Sequence, residues 1–195
     1  MLAQALVFLL DAVGSLFILA ALLRFWMQAF RAPARNPIAY FSMAVTDWAV
    51  RPLRRVIPGL FNLDWASLVV AWVTSFMLQF AIVALLRDVM PDNGAAFSVI
   101  LFKSFIELLR LSIYVFMGAV ILQAVLSWVN PYHPVAPFFA ALCNPFMKPV
   151  RRVIPPIGGV DISPVFVLIF FQFILAFPLA WLDIETKLML DRALL

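Results

Sequence analysis

The chain has 195 residues, of which 66% are apolar and only 12% are charged, and its mean hydropathy is +1.06. A soluble domain is usually about 45–50% apolar and about 25% charged, and a small domain exposes much of its surface, so this composition excludes an ordinary water-soluble protein. The net charge of +4 favours anionic lipid headgroups as a partner, since the cations lie beside apolar segments, and direct nucleic-acid binding is not expected.

The first apolar segment, residues 12–28, is the weakest of four predicted membrane spans. Asp11 and Arg24 bound its uncharged centre, and we expect Arg24 to extend toward the membrane interface. No basic region precedes this segment, and Asp11 interrupts the apolar run, so a retained helix is expected and not a cleaved signal peptide.

Three further segments have the length and apolarity of spanning helices: residues 65–86, 111–129 and 162–182. A spanning helix satisfies all its backbone polar groups internally. The sequence therefore predicts an all-α polytopic membrane protein with four transmembrane helices.

Two basic segments repeat each other at an offset of 97 residues. Residues 51–64 read RPLRRVIPGLFNLD, and residues 148–161 read KPVRRVIPPIGGVD. Such self-similarity predicts tandem copies. We divide the chain into a first copy (residues 1–90), a linker with an amphipathic lead-in (91–110) and a second copy (111–195). Each copy holds two spans, so the copies are expected to be parallel and to cross the membrane in the same orientation.

Each basic segment is predicted to form a short amphipathic helix at the interface. Pro52 and Pro149 suit its first turn, and Pro58 and Pro155 are expected to end it. Cations three and four residues apart share one face of such a helix: Arg51, Arg54 and Arg55, and Lys148, Arg151 and Arg152. Two interpretations stay open, a signal that only fixes topology and a binding site for anionic lipid or a membrane partner.

Asp64 and Asp161 follow the basic motifs and open the second span of each copy. Each could cap the helix that follows, or could reach back to its arginine pair and fix the loop. Gly158 and Gly159 allow a tight return in the second copy. The first copy lacks this glycine pair, so we expect it to be more forgiving of changes at Arg54 and Arg55 than the second copy is at Arg151 and Arg152.

The segments before the two motifs, residues 37–50 and 134–147, are apolar but too short to span a membrane. They are expected to be interfacial or re-entrant helices. The loops that contain them carry eight cations, against five on the opposite side, which predicts cytoplasmic basic loops and both termini outside.

Polar residues within or beside the spans suggest further contacts. We expect an ion pair between Asp11 and Arg110, which align near the outer ends of spans 1 and 3. Three glutamines within spans favour interhelical hydrogen bonds, with a polar path through the protein as the alternative: Gln79, Gln123 and Gln172.

Catalysis finds little support in the sequence. His133 is the only histidine and Cys143 the only cysteine, so a histidine-based zinc cluster or a catalytic triad has too few members. No glycine-rich nucleotide-binding motif is present. We expect no metal, no cofactor and no enzymatic activity.

The motif RRVIPPIGGVDISP, preceded by NPFMKP and followed by an apolar span, closely resembles the signature of the YggT family, also called YlmG or CCB3-like. The resemblance covers nearly the whole chain and fits two-repeat bacterial members. It implies a small bacterial inner-membrane protein with relatives in plastids. The family is associated with osmotic or ion stress, with cell division or nucleoid organisation, and with cytochrome assembly in plastids.

These observations together favour a non-catalytic membrane scaffold or assembly factor. It would bind anionic lipid or a membrane partner through Arg54, Arg55, Arg151 and Arg152, alone or as a homo-oligomer. An oligomeric ion channel or transport component is the alternative.

Overall fold

The computed structural model describes residues 2–59, 63–87, 93–154 and 161–194, and this part of the chain is almost entirely helical. The helices are α1 (Leu2–Ala29), α2 (Pro37–Leu53), α3 (Trp65–Arg87), α4 (Gly94–Val129), α5 (Ala136–Val153), α6 (Ser163–Ile174) and α7 (Ala180–Ala193), with a π-helical turn at Leu175–Leu179 between the last two. Four stretches are long and apolar enough to cross a membrane: Ala3–Ala29, Trp65–Leu86, Gly94–Val129 and Ser163–Ala193. The prediction of an all-helical membrane protein with four spanning helices is confirmed.

Helices α1, α3 and α4 form one packed layer of the protein. Ile18 and Leu22 of α1 are fully buried against Ala71 of α3 and Leu108 of α4. Gly14 brings α1 close to α3, because a Cβ atom there would lie 2.9 Å from a methyl carbon of Leu78. Small residues allow such close approach between membrane helices, where packing is a main source of stability.

An aromatic cluster joins α1 and α4 to α5 and α6. The ring of Phe116 lies 4.9 Å from that of Trp26 and 4.7 Å from that of Phe146, and it stacks 6.1 Å from Phe171. The indole of Trp26 also donates a hydrogen bond to Ser112 Oγ at 3.1 Å. Residues from both halves of the chain therefore share one core.

Helix α4 is longer than the span predicted within it. Its 36 residues are continuous, so the lead-in predicted for 91–110 forms one helix with the span from Gly94 onward. At 1.5 Å per residue such a helix is about 54 Å long, well beyond a hydrocarbon core of about 30 Å. Asn93 caps its start and also donates to the Ala193 carbonyl at 2.5 Å, so α4 and α7 pack as an antiparallel pair.

The prediction of short helices that begin at Pro52 and Pro149 is wrong. Helix α2 begins at Pro37, after the cap Asn36, and continues to Leu53, so Pro52 lies in its last turn. Pro149 likewise lies inside α5. A proline within a helix costs one backbone hydrogen bond. A helix α2 that ended earlier would lose the packing of Val50, which is fully buried, and so the longer helix is favoured.

The basic motifs therefore sit at the C-terminal ends of α2 and α5. Pro58 does not end a helix, because α2 has already ended at Leu53. The predicted contributions of Pro155, Gly158 and Gly159 lie outside the described residues.

Candidate functional site

Arg24 is the central cation of the structure, and it is buried. Only 7% of its side chain is exposed, and this burial was not expected from the sequence. Its Nη1 donates to Asp47 Oδ1 at 2.6 Å and to Thr46 Oγ1 at 3.2 Å, and its Nε lies 3.3 Å from Asp64 Oδ2. A buried charge is tolerated only when it is paired and hydrogen-bonded, and two carboxylates provide that pairing.

Asp64 is 2% exposed and accepts hydrogen bonds from both sides of the loop. Arg54 donates through Nε to Oδ1 at 3.1 Å and through Nη2 to Oδ2. Ser67 donates through its backbone N–H at 3.3 Å and through its hydroxyl at 2.5 Å. Asp64 thus caps α3 and also holds the basic loop, which combines the two roles considered from sequence.

The same contacts set the protonation state of Asp64. Burial raises the pKa of its carboxyl, but the hydrogen bonds from Arg54 and Ser67 outweigh that effect and keep the pKa below its ordinary value. The carboxylate is therefore charged at neutral pH. Asp47 carries the network outward, since its Oδ2 lies 2.6 Å from Nη2 of the exposed Arg51.

We call this set the first charged cluster: Arg24, Asp47, Arg51, Arg54 and Asp64. Helices α1 and α2 and the start of α3 all contribute to it. The sequence offered Asp64 and the motif arginines as candidates, but it did not connect them with Arg24 or Asp47.

A second pair, Arg151 and Asp161, occupies the matching positions 97 residues later. Nε and Nη2 of Arg151 lie 2.8 and 2.6 Å from Asp161 Oδ2, and the Ser163 N–H donates to Oδ1 at 2.9 Å. Burial raises the pKa of Asp161, but the bonds from Ser163 and Arg151 again lower it overall. The side chains of this pair are 40% and 33% exposed, so it is far more open than its counterpart.

Among the described residues, no further arginine contacts the pair of Arg151 and Asp161 in the way that Arg24 contacts Asp64. A cavity of about 300 Å³ lies there between α4, α5 and α6, and Gln123, Met147 and Leu168 line it beside the pair. The Oε1 atom of Gln123 is buried without a hydrogen-bond partner in the described part of the chain. The interhelical bond expected from Gln123 is therefore not formed by that oxygen.

The remaining predicted cations face outward. Arg55 lies in the turn after α2, and Lys148 and Arg152 lie in the last turns of α5; all three are exposed. Within the residues that the structure describes, none of the three forms an ion pair.

The predicted pair between Asp11 and Arg110 is replaced by another. Arg110 Nη1 donates to Glu107 Oε2 at 3.0 Å, and its Nη2 contacts Asp183 of α7, while Asp11 is exposed on α1. The reason is that the last span continues as α7, which packs along α4 and brings Asp183 to Arg110. The alignment of spans 1 and 3 could not indicate this neighbour.

The described residues offer little chemistry beyond these ion pairs. No group of three or more histidine, cysteine or acidic side chains among them could hold a metal ion. Cys143 is buried, and burial raises the pKa of its thiol to about 12, so the thiolate is disfavoured at neutral pH. The arrangement can pair charges and bind anions through its exposed cations.

The chain is similar to several uncharacterized bacterial proteins. A 165-residue stretch is 36% identical to an uncharacterized protein of Pseudomonas aeruginosa, covering 83% of this chain and 82% of that one. An uncharacterized protein of Vibrio alginolyticus is 33% identical over 85% of this chain and 89% of its own. The uncharacterized protein YggT of Escherichia coli is 34% identical over 83% of this chain and 82% of its own.

No solved structure matches the chain. The model of the CCB3/YggT family matches it twice, over residues 3–95 and again over residues 102–182. These two segments include both charged loops and the greater part of each span, and so the chain belongs to the CCB3/YggT family.

Proposed function

We propose that the protein is a non-catalytic scaffold of the bacterial inner membrane that binds anionic lipid headgroups through its exposed basic residues. The proposal includes two tandem parallel copies, with cytoplasmic basic loops and both termini outside. The family resemblance supports a role in osmotic stress tolerance or in organisation of the cell envelope and division.

The observation that carries the proposal is that the two neighbouring arginines of each basic motif have different contacts. Arg54 and Arg151 are bound to carboxylates, whereas Arg55 and Arg152 are exposed and unpaired within the described residues. The exposed cations lie at the C-terminal ends of α2 and α5, where positive charge complements the helix dipole. Each juxtamembrane cation contributes about 1 kcal/mol against an anionic leaflet.

Both motifs are expected on one side of the membrane, because two spanning helices, α3 and α4, separate them along the chain. The double match of the family model supports the tandem arrangement. The excess of Lys and Arg in the two basic loops supports their cytoplasmic location, and the bacterial relatives support the inner membrane.

The proposal is tested by lipid selectivity. The purified protein in nanodiscs, probed with spin-labelled phosphatidylglycerol and phosphatidylcholine, is expected to prefer the anionic lipid. Replacing both Arg55 and Arg152 by alanine removes two surface cations, or about 2 kcal/mol, and should weaken that preference about thirtyfold.

The matched control is Lys187→Ala, which removes an exposed cation from α7, on the side opposite the basic loops. It should leave the preference unchanged. Equal effects of the control and the double variant would contradict the proposal. Selective ion flux through the same preparation in sealed liposomes would instead favour the channel interpretation.

A further inference from the structure

Helix α1 ends in a backbone conformation that favours glycine but contains Arg31. The Ala32 N–H bonds to the Met27 carbonyl at 2.8 Å, and the Arg31 N–H bonds to the Gln28 carbonyl at 3.2 Å. This is the Schellman pattern, whose left-handed position is usually glycine. Arg31 occupies that position with a φ of 53°, at a conformational cost of about 1 kcal/mol or more. Residues with backbone strain of this kind are often found at functional sites.

Arg31 lines a cavity of about 420 Å³ together with Arg24 and Arg54. Met27 and Met43 are among the apolar residues of its wall. Three arginines, from α1, from the loop after α1 and from the end of α2, therefore border one space.

Each of the three arginines has hydrogen-bonding capacity left for a ligand. Arg24 uses Nη1 and Nε for its described partners, and Arg54 uses Nε and Nη2. Arg31 is exposed, and its side chain forms no hydrogen bond or ion pair with the described residues. Since a guanidinium has five N–H donors, Nη2 of Arg24, Nη1 of Arg54 and the whole guanidinium of Arg31 remain available.

The carboxylates of the first charged cluster do not line this cavity as far as the structure describes it. Asp47 and Asp64 contact Arg24 and Arg54 but are not part of the cavity wall. They orient the two guanidinium groups and leave the third cation unneutralised. The cavity is therefore bordered by three arginines, two of which are held by carboxylates, and guanidinium groups are the side chains best suited to bind a phosphate group.

We infer that this cavity binds a phosphate-bearing anion through Arg24, Arg31 and Arg54. The inference deepens the proposed function and rests on it where the phosphate belongs to a lipid headgroup. It also assigns a role to Arg24 and Arg31, which lie outside the repeated motifs. A free phosphate ester offers the same chemistry, and the source is decided by experiment.

The test compares Arg31 with Arg35, an exposed arginine four residues further along the same loop that does not line the cavity. Thermal stability of the detergent-purified protein is titrated with short-chain phosphatidylglycerol, with short-chain phosphatidylcholine and with glycerol phosphate. Arg31→Gln should weaken phosphatidylglycerol binding about tenfold, which corresponds to about 1.4 kcal/mol. Arg35→Gln removes the same charge and should change it less than about twofold.

The variant Arg31→Gly separates a loss of binding from a loss of folding stability. Glycine suits the left-handed conformation, so this variant should be at least as stable as the wild type without ligand, yet bind about tenfold more weakly. Binding of glycerol phosphate by the wild type, lost in both Arg31 variants, would assign the site to a soluble anion. Binding of phosphatidylglycerol alone would assign it to lipid.

Equal losses in Arg31→Gln and Arg35→Gln would overturn the inference, since only diffuse charge would then matter. Such a result would leave the proposed function standing if the Arg55 and Arg152 double variant still loses its lipid preference. A wild-type protein that responds to no phosphate-bearing ligand would overturn the site and contradict the proposed function as well.

Discussion

Arg54 and Asp64 lie ten positions apart in the chain and are joined by two N–H···O bonds, and the same separation joins Arg151 to Asp161. In both places the carboxylate also accepts a backbone N–H at the start of the next helix. Each pair therefore fixes where one helix ends and the next begins. The difference is that Arg24 covers the first pair, whereas the second lies beside an open cavity.

This difference predicts unequal responses to the loss of the two carboxylates. Asp64→Ala would leave Arg24 with one fewer counter-charge in a buried site, and breaking a buried pair typically costs about 3–5 kcal/mol. Asp161→Ala removes a half-exposed pair and should cost about 1 kcal/mol or less. Thermal unfolding in detergent, followed by circular dichroism, measures both.

The expectation from sequence concerned a different change, since it held the first copy to be more forgiving of substitutions at Arg54 and Arg55. Equal melting temperatures for the two variants, or a larger loss in Asp161→Ala, would mean that Arg24 does not stabilise the first cluster in the way its contacts indicate.

Stability should also depend on pH through Asp64. Because its pKa is lower in the folded protein than in the unfolded chain, its contribution is present above the unfolded value of about 4 and is lost as the pH falls toward the folded value. The melting temperature should be flat between about pH 6 and pH 5 and then fall. Asp64→Asn, which cannot titrate, should have a lower melting temperature and a shallower acid decline. An unchanged decline would assign it to other carboxylates.

The contact of Arg110 with Asp183 predicts that Asp183, and not Asp11, contributes to the stability of the helix bundle. Asp183→Ala should lower stability by about 1–2 kcal/mol, the range for polar contacts between membrane helices. Asp11→Ala is the matched control, because Asp11 is exposed and has no ion pair in the described part of the chain; it should change stability by less than about 0.5 kcal/mol. A larger effect of Asp11→Ala would restore the pair expected from sequence.

The elements were predictable because each follows from local composition. Long apolar segments gave the four spans, and the offset of 97 residues located both charged loops. The pairing of Asp64 and Asp161 with their arginines was among the interpretations considered, because the separation of ten residues is the same in both copies. These features depend on residues close together in the chain.

The rest depends on contacts between distant residues. Arg24 lies 23 residues from Asp47 and contacts it only because α2 folds back along α1. A span that ends in arginine is usually interpreted as extending to the interface, and no local pattern distinguishes that from a buried pair. Pro52 was misassigned for the same reason, since the buried packing of Val50 extends α2 past a residue that local rules place at a helix start.

The sidedness of the basic loops can be measured with single cysteines. The native Cys143 is a favourable background, because it is buried and its raised pKa of about 12 makes it slow to react with a maleimide. Val56 and Val153 lie in the basic loops and are 77% and 81% exposed, while Ser98 is exposed near the start of α4 and Met189 near the end of α7.

In intact cells, a membrane-impermeant maleimide should label Ser98→Cys and Met189→Cys but not Val56→Cys or Val153→Cys, because the excess of loop cations retains the basic side in the cytoplasm. All four should react after the membrane is dissolved, while the wild type, with Cys143 alone, stays unlabelled on the same time scale. The reverse pattern would preserve four spans and invert the orientation. Labelling of both sets from the outside would refute the four-span arrangement itself, because α3 and α4 must each cross the membrane to separate them.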